Sequence, residues 1–446
     1  MAKKFDFTKG SIAKSLFYFS GPILLANLFQ TSYQFVDSLW VGNLLGANAL
    51  GSVAISGSIL FVVLSIIIGL NNAALTILSQ QQGKQNEEGL KRYLNAFVVL
   101  MICIAVILGL LGYIFAELLL RLLGTPEAML AGAVTYLRIN FIGILLLFGY
   151  NFISTVLRSI GDSKTPLYFV IAAVLLNAVL DPLFIEVFEW GITGAGYATV
   201  ASQGVSFFIG FFYILKRDLA PFTVPHLPKL KEIKLILHIG IPSSLQMAVI
   251  SAGAAAIIGV VATQGGAVVS GYSAAQRLDS LLMLPAHALS IAVSSMAGQN
   301  IGAQNWERVR KIAKYGVMYN FLTMFFIGII VAIFAEYGVK LFIQEEAAVR
   351  FGTIYLQIVA LCYPFLGINF ILNGVVRAAG AMYPILILNI ISFWVLRYPL
   401  AALCSYLFGE VGIAIGVGAS FILSSIVAMM YYRFGKWRET KLFADA

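Results

Sequence analysis

The stretch "LFQTSYQFVDSLWVG" (residues 28–42) places a carboxylic acid, Asp37, near the end of an apolar run that starts at about Ser15. A run of this length is long enough for an α-helix to cross the roughly 30 Å hydrocarbon core of a bilayer. An acid inside such a span costs about 2.5–3.5 kcal/mol on insertion scales, so it is expected to have a function. The stretch therefore predicts a membrane helix that carries a functional acid.

The whole chain has the composition of a membrane protein. It has 446 residues, of which 60% are hydrophobic and 11% charged, and its mean hydropathy is +0.91. A soluble protein of this size carries about 25% charged residues. The apolar residues come in blocks separated by short polar breaks, and they predict twelve spans near 13–42, 49–78, 93–123, 130–157, 166–185, 194–215, 233–263, 271–298, 312–335, 350–376, 384–407 and 412–432. We expect an all-α integral membrane protein.

The charges in the loops predict the orientation of the chain. The net charge is +9, and lysine and arginine concentrate in every second connection and at both ends. The alternate connections are mainly acidic, with Glu186, Glu189 and Glu345 among their residues. By the positive-inside rule both termini are cytoplasmic, in a cell (plasma or inner) membrane. The basic balance is thus a topology signal, and we expect no nucleic-acid partner.

The sequence repeats itself with an offset near 220 residues. Ile241-Pro242 corresponds to Gly21-Pro22, and "GAVVSGYSAAQ" (266–276) corresponds to "GANALGSVAIS" (46–56). The loops 79–92 and 298–311 match in the same way, as do the segments 149–166 and 367–384. Six spans per half is an even number, so the halves have the same orientation and a pseudo-twofold axis along the membrane normal. We predict an N-terminal bundle over residues 1–215, a linker over 216–234 and a C-terminal bundle over 235–446.

The acids in the spans break this repeat, because Asp37 corresponds to Ile257 and Asp181 corresponds to Tyr398. In span 1, Gln30, Tyr33, Gln34 and Asp37 follow the i, i+3, i+4, i+7 spacing of one helix face. In span 5, Asn177 and Asp181 form an i, i+4 pair, and Thr199 lies at a similar depth in span 6. Asp37, Asn177, Asp181 and Thr199 are expected to converge in the outer-leaflet part of the N-terminal bundle.

Local structural roles are the alternative for each of these residues. Asp181 precedes Pro182 and can cap a frayed helix end, and Asp37 can pair with Arg138 in span 4. Asn177, Thr199 and Asn151 can simply form hydrogen bonds between helices. Four further charged or polar groups, Arg138, Arg277, Asp279 and Arg397, have no assigned role. His287 is expected to be a packed interior histidine.

No cofactor, metal or enzymatic motif is recognisable. "GITGAG" (191–196) has the wrong spacing for a dinucleotide loop, and no Walker, HExxH or GxSxG pattern occurs. Cys103, Cys362 and Cys404 lie in apolar spans and suggest neither disulfides nor a thiolate site. A secondary transporter driven by an ion gradient therefore fits the sequence, rather than an enzyme or an ATP-driven pump.

Several of these pieces resemble one known family. Gly21-Pro22, "QFVDSLWVGNLLGANALGSVAIS" (34–56) and "SMAGQNIGAQNWERVRK" (295–311), together with the Asn177–Asp181 pair, resemble the multidrug and toxic compound extrusion family, and the likeness is nearest to its DNA-damage-inducible F branch. The resemblance implies twelve helices in two six-helix bundles, arranged as a V around a central cavity. It also implies export of organic cations driven by protons or sodium. Other branches place carboxylates in spans 7 and 10, and this chain has none in either span interior.

The resemblance and the residues together predict a mechanism. Asp37 is expected to be the exchange site, with Asn177, Asp181 and Thr199 around it as the proton-coupling group. Tyr33, Gln34 and Asn151 are expected to bind substrate beside Asp37, and Pro22 is expected to act as a hinge in span 1. The coupling ion is expected to be H⁺, acting in a monomer that meets membrane lipid and small organic cations and contains no cofactor. Alternatively, the four coupling residues hold Na⁺. A second alternative is a flippase that moves a lipid-linked precursor by means of Arg138, Arg277 and Arg397. A channel or a membrane enzyme is a more distant alternative.

Overall fold

The computed structural model describes residues 6–443, and these residues are helical without any β-strand. The α-helices are α1 (Ile12–Leu45), α2 (Ala47–Gly83), α3 (Glu87–Leu122), α4 (Glu127–Ile142), α5 (Ile144–Ser159), α6 (Lys164–Pro182), α7 (Gly191–Arg217), α8 (Leu230–Ala262), α9 (Gly266–Leu282), α10 (Leu284–Gly302), α11 (Trp306–Lys340), α12 (Glu346–Ala360), α13 (Tyr363–Ala378), α14 (Met382–Ile390), α15 (Tyr398–Phe408) and α16 (Glu410–Phe434). Two π-helical segments, Leu183–Val187 and Ile391–Arg397, extend α6 and α14, and a 3₁₀ turn follows at Lys436–Glu439.

The helices confirm the predicted all-helical membrane fold. Within residues 6–443, ten helical stretches are long and apolar enough to cross a bilayer, with α9–α10 and α14–α15 each counted as one stretch. The number rises to twelve when two bent helix pairs are each counted as one span. The bent pairs are α4 with α5, at 53°, and α12 with α13, at 54°. Each predicted span therefore has a helical counterpart in the structure.

Exposed apolar side chains mark the surfaces that would meet lipid. On α3, Ile107, Leu110 and Ile114 lie three and four residues apart, and each is more than half exposed. Such a stripe would be an aggregation hazard in water, but it is the ordinary outer face of a membrane helix.

The sequence repeat is also a repeat of local geometry. Asn86 accepts a hydrogen bond from the Gly89 N–H (2.9 Å) at the start of α3, and Asn305 does the same for the Arg308 N–H (3.2 Å) at the start of α11. These N-caps satisfy backbone donors that a helix start leaves unpaired. Gly161 and Gly380 turn the chain after the two bent pairs with φ of +91° and +88°, a conformation that favours glycine.

The described residues form two compact units. The first contains residues 21–241, and the second contains residues 7–20 and 242–443. The boundaries differ from the predicted ranges 1–215 and 235–446 at both ends. The first residues of α1 pack with the second unit, and residues 216–241, including the first third of α8, pack with the first. The chain therefore passes between the units inside two helices, next to Pro22 and next to Pro242.

Polar contacts hold both of these exchanged segments in place. In the second unit, the Arg308 guanidinium donates to the carbonyl oxygens of Phe7, Lys9 and Gly10 at 3.0–3.1 Å. In the first unit, Asn95 forms hydrogen bonds with the backbone of His226 (2.8 and 2.9 Å). Because these bonds involve segments distant in sequence, the apolar pattern alone does not predict them.

Candidate polar site of the first unit

A buried polar cluster lies where α1, α6 and α7 of the first unit meet. Asp37 and Thr199 are 7% exposed, and Asn177 and Asp181 are completely buried. The side chains of Asp37 and Asp181 are close enough to interact with each other. The structure thus brings together the four residues that the sequence predicted to converge.

Asp181 is positioned by an irregular end of α6. Asn177 donates a hydrogen bond from Nδ2 to Asp181 Oδ1 (3.1 Å), as their i, i+4 spacing allows. Pro182 follows at the end of α6, and the π-helical segment Leu183–Val187 begins directly after it. Gly194 of α7 packs on the Phe184 carbonyl of this segment, where a Cβ atom would lie only 2.6 Å from the oxygen. π-Helical turns often mark functional positions in helices.

Several oxygen atoms in the cluster lack hydrogen-bond partners. Buried oxygens without a well-formed hydrogen bond to another described residue are Tyr33 Oη, Asp37 Oδ1, Asn177 Oδ1, Asp181 Oδ2 and Thr199 Oγ1. Buried polar groups are normally hydrogen-bonded, so five such oxygens in one place require an explanation. A site that takes up a proton or a small cation provides one.

The cluster is acidic, with no basic partner among the described residues. No lysine, arginine or histidine among residues 6–443 forms an ion pair with Asp37 or Asp181. The pairing of Asp37 with Arg138 that the sequence left open is wrong. Arg138 instead donates to the Tyr113 carbonyl (3.3 Å), and its guanidinium carbon lies 5.2 Å from the Tyr113 ring centre.

The structure adds two residues that the sequence pattern did not indicate. Tyr136 of α4 and Ser202 of α7 lie near the Tyr33 and Thr199 hydroxyls. Ser202 follows Thr199 by three residues and therefore shares its helix face, which the sequence could have shown. Tyr136 lies on a helix whose apolar pattern carries no mark of the site.

The predicted substrate residues are less closely grouped. Tyr33 belongs to the cluster, whereas Gln34 is exposed on α1. Asn151 of α5 donates to the Leu147 carbonyl of its own helix (2.9 Å), which is a local role. Pro22 lies within α1, about four helical turns from Asp37.

The arginines without an assigned role contact different aromatic side chains. Arg277 is 5.8 Å from the Phe342 ring, and Arg397 lies between the Phe393 and Phe421 rings at 3.9 and 4.7 Å. Together with Arg138 at Tyr113, each arginine contacts different aromatic side chains. Arg277 and Arg397, which both belong to the second unit, therefore share no aromatic contact.

Comparison with known families matches both halves of this architecture. The MatE family model matches residues 22–183 and again residues 242–403. The chain belongs to the MatE family. The two matches begin at Pro22 and Pro242, the same repeat that the sequence and the two units display.

Close relatives and solved structures agree with this MatE assignment. The chain is 56% identical over 443 residues to the probable multidrug resistance protein YpnP of Bacillus subtilis (strain 168), covering 99% of this chain and 100% of that protein. It is 30% identical to the probable multidrug resistance protein YoeA of the same organism, covering 98% and 96%. The fold matches the Vibrio cholerae MATE transporter VcmN in the bent form with a TM-score of 0.92, at 24% identity and 97% and 98% coverage. This MatE protein is therefore a multi-pass membrane transporter of the multidrug efflux family and not an enzyme.

Proposed function

We propose that this MatE protein exports organic cations in exchange for protons by alternating access, with Asp37 as the exchange site. The observation that carries the proposal is the buried Asp37–Asp181 pair, which has unpaired oxygens and no basic partner. In this proposal Asp181, Asn177 and Thr199 complete the coupling site, and Tyr33 contacts the substrate. The transporter acts as a monomer with both termini in the cytoplasm.

The chemistry of buried carboxyl groups supports proton exchange. Burial disfavours the charged form of a carboxyl group, and a second acid nearby makes it costlier for both to be ionised. A cation that approaches the pair offsets the negative charge, and a proton can take its place. Proton uptake from outside would thus release the cation there and allow the empty carrier to return.

The energy available sets the scale of the drug gradient. Exchange of one proton for one monovalent cation moves no net charge, so only the pH difference drives it. Each pH unit supplies about 1.4 kcal/mol, or about a tenfold gradient. A second proton would add the membrane potential, about 2.3 kcal/mol per 100 mV.

The position of Pro22 supports its proposed role as a hinge. Proline removes one backbone hydrogen bond from a helix and permits a bend. Pro22 is also next to the point where α1 passes from the second unit to the first. In this proposal, a change of protonation at Asp37 is coupled to the bend of α1 at Pro22.

Sodium coupling is the second candidate, and the unpaired oxygens favour it as well. The carboxylate, amide and hydroxyl oxygens of Asp37, Asp181, Asn177 and Thr199 are the ligands that hard cations prefer. The two candidates differ in what drives transport, so one experiment separates them.

The test measures flux in liposomes that are loaded with a fluorescent organic cation. Purified wild type, Asp37→Asn and Asp218→Asn are compared under an imposed pH gradient and then under an imposed sodium gradient. Asp218 is an exposed acid after α7, in a left-handed conformation that asparagine tolerates, so its variant is the matched control. We expect flux driven by the pH gradient in wild type and in Asp218→Asn, and background flux in Asp37→Asn.

Other outcomes would replace the proposal. Flux driven by sodium alone, and lost in Asp37→Asn, would make the same residues a sodium site. If neither gradient moves the dye in well-folded wild type, drug export is wrong and flipping of a lipid-linked precursor becomes the next activity to assay.

A further inference from the structure

The second unit contains its own pair of opposite charges inside a membrane span. Asp279 lies on α9, and Arg397 is the last residue of the π-helical segment Ile391–Arg397. Both line a cavity of about 410 Å³ whose walls are all formed by the second unit. A charged residue at such a position is costly and is usually functional. The coupling site described above contains neither residue.

Arg397 is held rigidly while part of its guanidinium remains available. The guanidinium carbon lies 3.9 Å from the Phe393 ring centre and 4.7 Å from that of Phe421, a double cation–π contact. Its Nε donates to Ser420 Oγ (3.3 Å), and its two Nη groups form no hydrogen bond with the described residues. These Nη groups are the ones that bind a carboxylate in bidentate fashion.

Asp279 is held by tyrosine side chains that line the same cavity. Its Oδ1 accepts a hydrogen bond from the Tyr363 hydroxyl, and the rings of Tyr272 and Tyr355 pack edge to face beside it, 5.2 Å apart. Asp279 and Arg397 interact electrostatically, but they form no ion pair within 4.0 Å among the described residues. The acid and the base thus point into one cavity with space between them.

The charge of the cavity selects its ligand. Asp279 and Arg397 together carry no net charge, so a simple cation would leave one positive charge in the half-buried cavity without a partner. Removing an unpaired charge from water costs several kcal/mol. A molecule with both a cationic and an anionic group satisfies both side chains and keeps the cavity neutral. The aromatic walls and the volume suit a flat, drug-sized ring system.

We propose that the second unit contains a separate binding site for zwitterionic aromatic compounds, in which Asp279 receives the cationic group and Arg397 receives the carboxylate. The first unit provides the contrast, since its polar cluster is acidic without a basic partner and suits cations. Arg397 directly precedes Tyr398, and Tyr398 is the residue that corresponds to Asp181 in the sequence repeat. The charges of the two halves therefore differ next to one pair of corresponding positions.

The test uses two dyes that differ by a single methyl group. Rhodamine 110 carries a free carboxylate and is zwitterionic, whereas rhodamine 123 is its methyl ester and is a cation. Equilibrium binding of each dye to the purified full-length protein in lipid nanodiscs is measured by fluorescence anisotropy at one pH and without any gradient. Since no ion gradient is present, the result does not depend on proton coupling at Asp37.

We expect wild type to bind rhodamine 110 more tightly than rhodamine 123. Arg397→Gln should weaken binding of rhodamine 110 by about tenfold, because the carboxylate loses a charged hydrogen-bond partner, and should not weaken binding of rhodamine 123, because no unpaired positive charge is then left beside the cation. Arg277→Gln is the matched control, since this exposed arginine on α9 does not line the cavity. It should leave both affinities unchanged.

Asp279→Asn tests the other charge. It should shift the ratio of the two affinities further in favour of rhodamine 110. Within this cavity rhodamine 123 would lose its only charged partner, whereas rhodamine 110 would keep Arg397. An unchanged ratio of the two dye affinities in well-folded Arg397→Gln would overturn the proposal. If Arg397→Gln does not fold, an unchanged ratio in Asp279→Asn would overturn it. An equal loss in Arg277→Gln would overturn it as well, and so would the disappearance of the Arg397→Gln effect in an Asp37→Asn background.

Discussion

The buried hydroxyl of Thr199, which forms no well-aligned hydrogen bond, offers a way to distinguish proton coupling from sodium coupling. In proton exchange this hydroxyl only assists the two acids that carry the proton, whereas a sodium ion would lose a direct ligand with it. We therefore expect Thr199→Val to keep at least about half of the wild-type flux under a pH gradient. The unfolding free energy should change by no more than about 1 kcal/mol, since the Thr199 hydroxyl forms no well-aligned hydrogen bond.

Flux assays and thermal unfolding in detergent check this prediction, with Thr199→Ser as the control that keeps the hydroxyl. A loss of transport in Thr199→Val that Thr199→Ser does not share would contradict proton exchange. It would support an oxygen-lined cation site instead.

Some residues of the site could be predicted from the sequence, and others could not. Asp37, Asn177 and Asp181 could be identified because helical spacing groups them and the second half lacks their equivalents. Tyr136 could not, because its contribution depends on how α4 packs near α1 and α7. Gln34 shares the predicted face of α1 but is exposed, so its contact with substrate stays a prediction.

At the scale of elements, the contact between α7 and the π-helical segment Leu183–Val187 supports Asp181. In Gly194→Ala the new Cβ would lie 2.6 Å from the Phe184 carbonyl oxygen, and backbone atoms cannot move aside as a flexible side chain can. We expect a loss of about 1–3 kcal/mol in stability, as for overpacked cores. Flux should fall as well, because the shifted segment is continuous with Asp181.

Gly57→Ala is the matched control for this substitution. A Cβ at Gly57, in the first third of α2, meets no atom within 4 Å. Alanine is the better helix former by about 1 kcal/mol, so this variant should be as stable as wild type or more so. Equal melting temperatures for the two variants would refute the role of the close contact.

The helix caps give a second prediction for the elements. Asn86→Ala and Asn305→Ala each remove an N-cap from repeat-related helices, and each should cost about 1 kcal/mol. The two losses should add in the double variant, since the caps lie in different units and share no partner. Thermal unfolding of both single variants and the double variant measures this, with Asn→Asp as the control that retains the cap. A loss of stability in Asn→Asp equal to that in Asn→Ala would show that the cap is not the cause.

At the scale of the whole molecule, two helices carry the chain between units next to Pro22 and Pro242. Any relative motion of the units must bend α1 and α8 near these points. We expect Pro22→Ala and Pro242→Ala to slow transport by about tenfold while leaving equilibrium binding of the cation unchanged, because alanine restores the backbone hydrogen bond and stiffens the helix.

Pro166→Ala is the control for both variants. Pro166 lies in the first turn of α6, where proline removes no intrahelical bond. Parallel measurements of flux and binding separate a slower cycle from a weaker site. Wild-type flux in a folded Pro22→Ala protein would argue for a static kink.

The sequence by itself determined the class of protein, the number of spans and the twofold repeat. These follow from hydrophobic length and from helical spacing, which are local properties of the chain. Only the tertiary structure decided where the two units begin and end, and which side chains share a cavity. Asp279 and Tyr363 are 84 residues apart. Helix packing, rather than any pattern along the chain, brings such residues together, because contacts between helices depend on their relative positions in three dimensions.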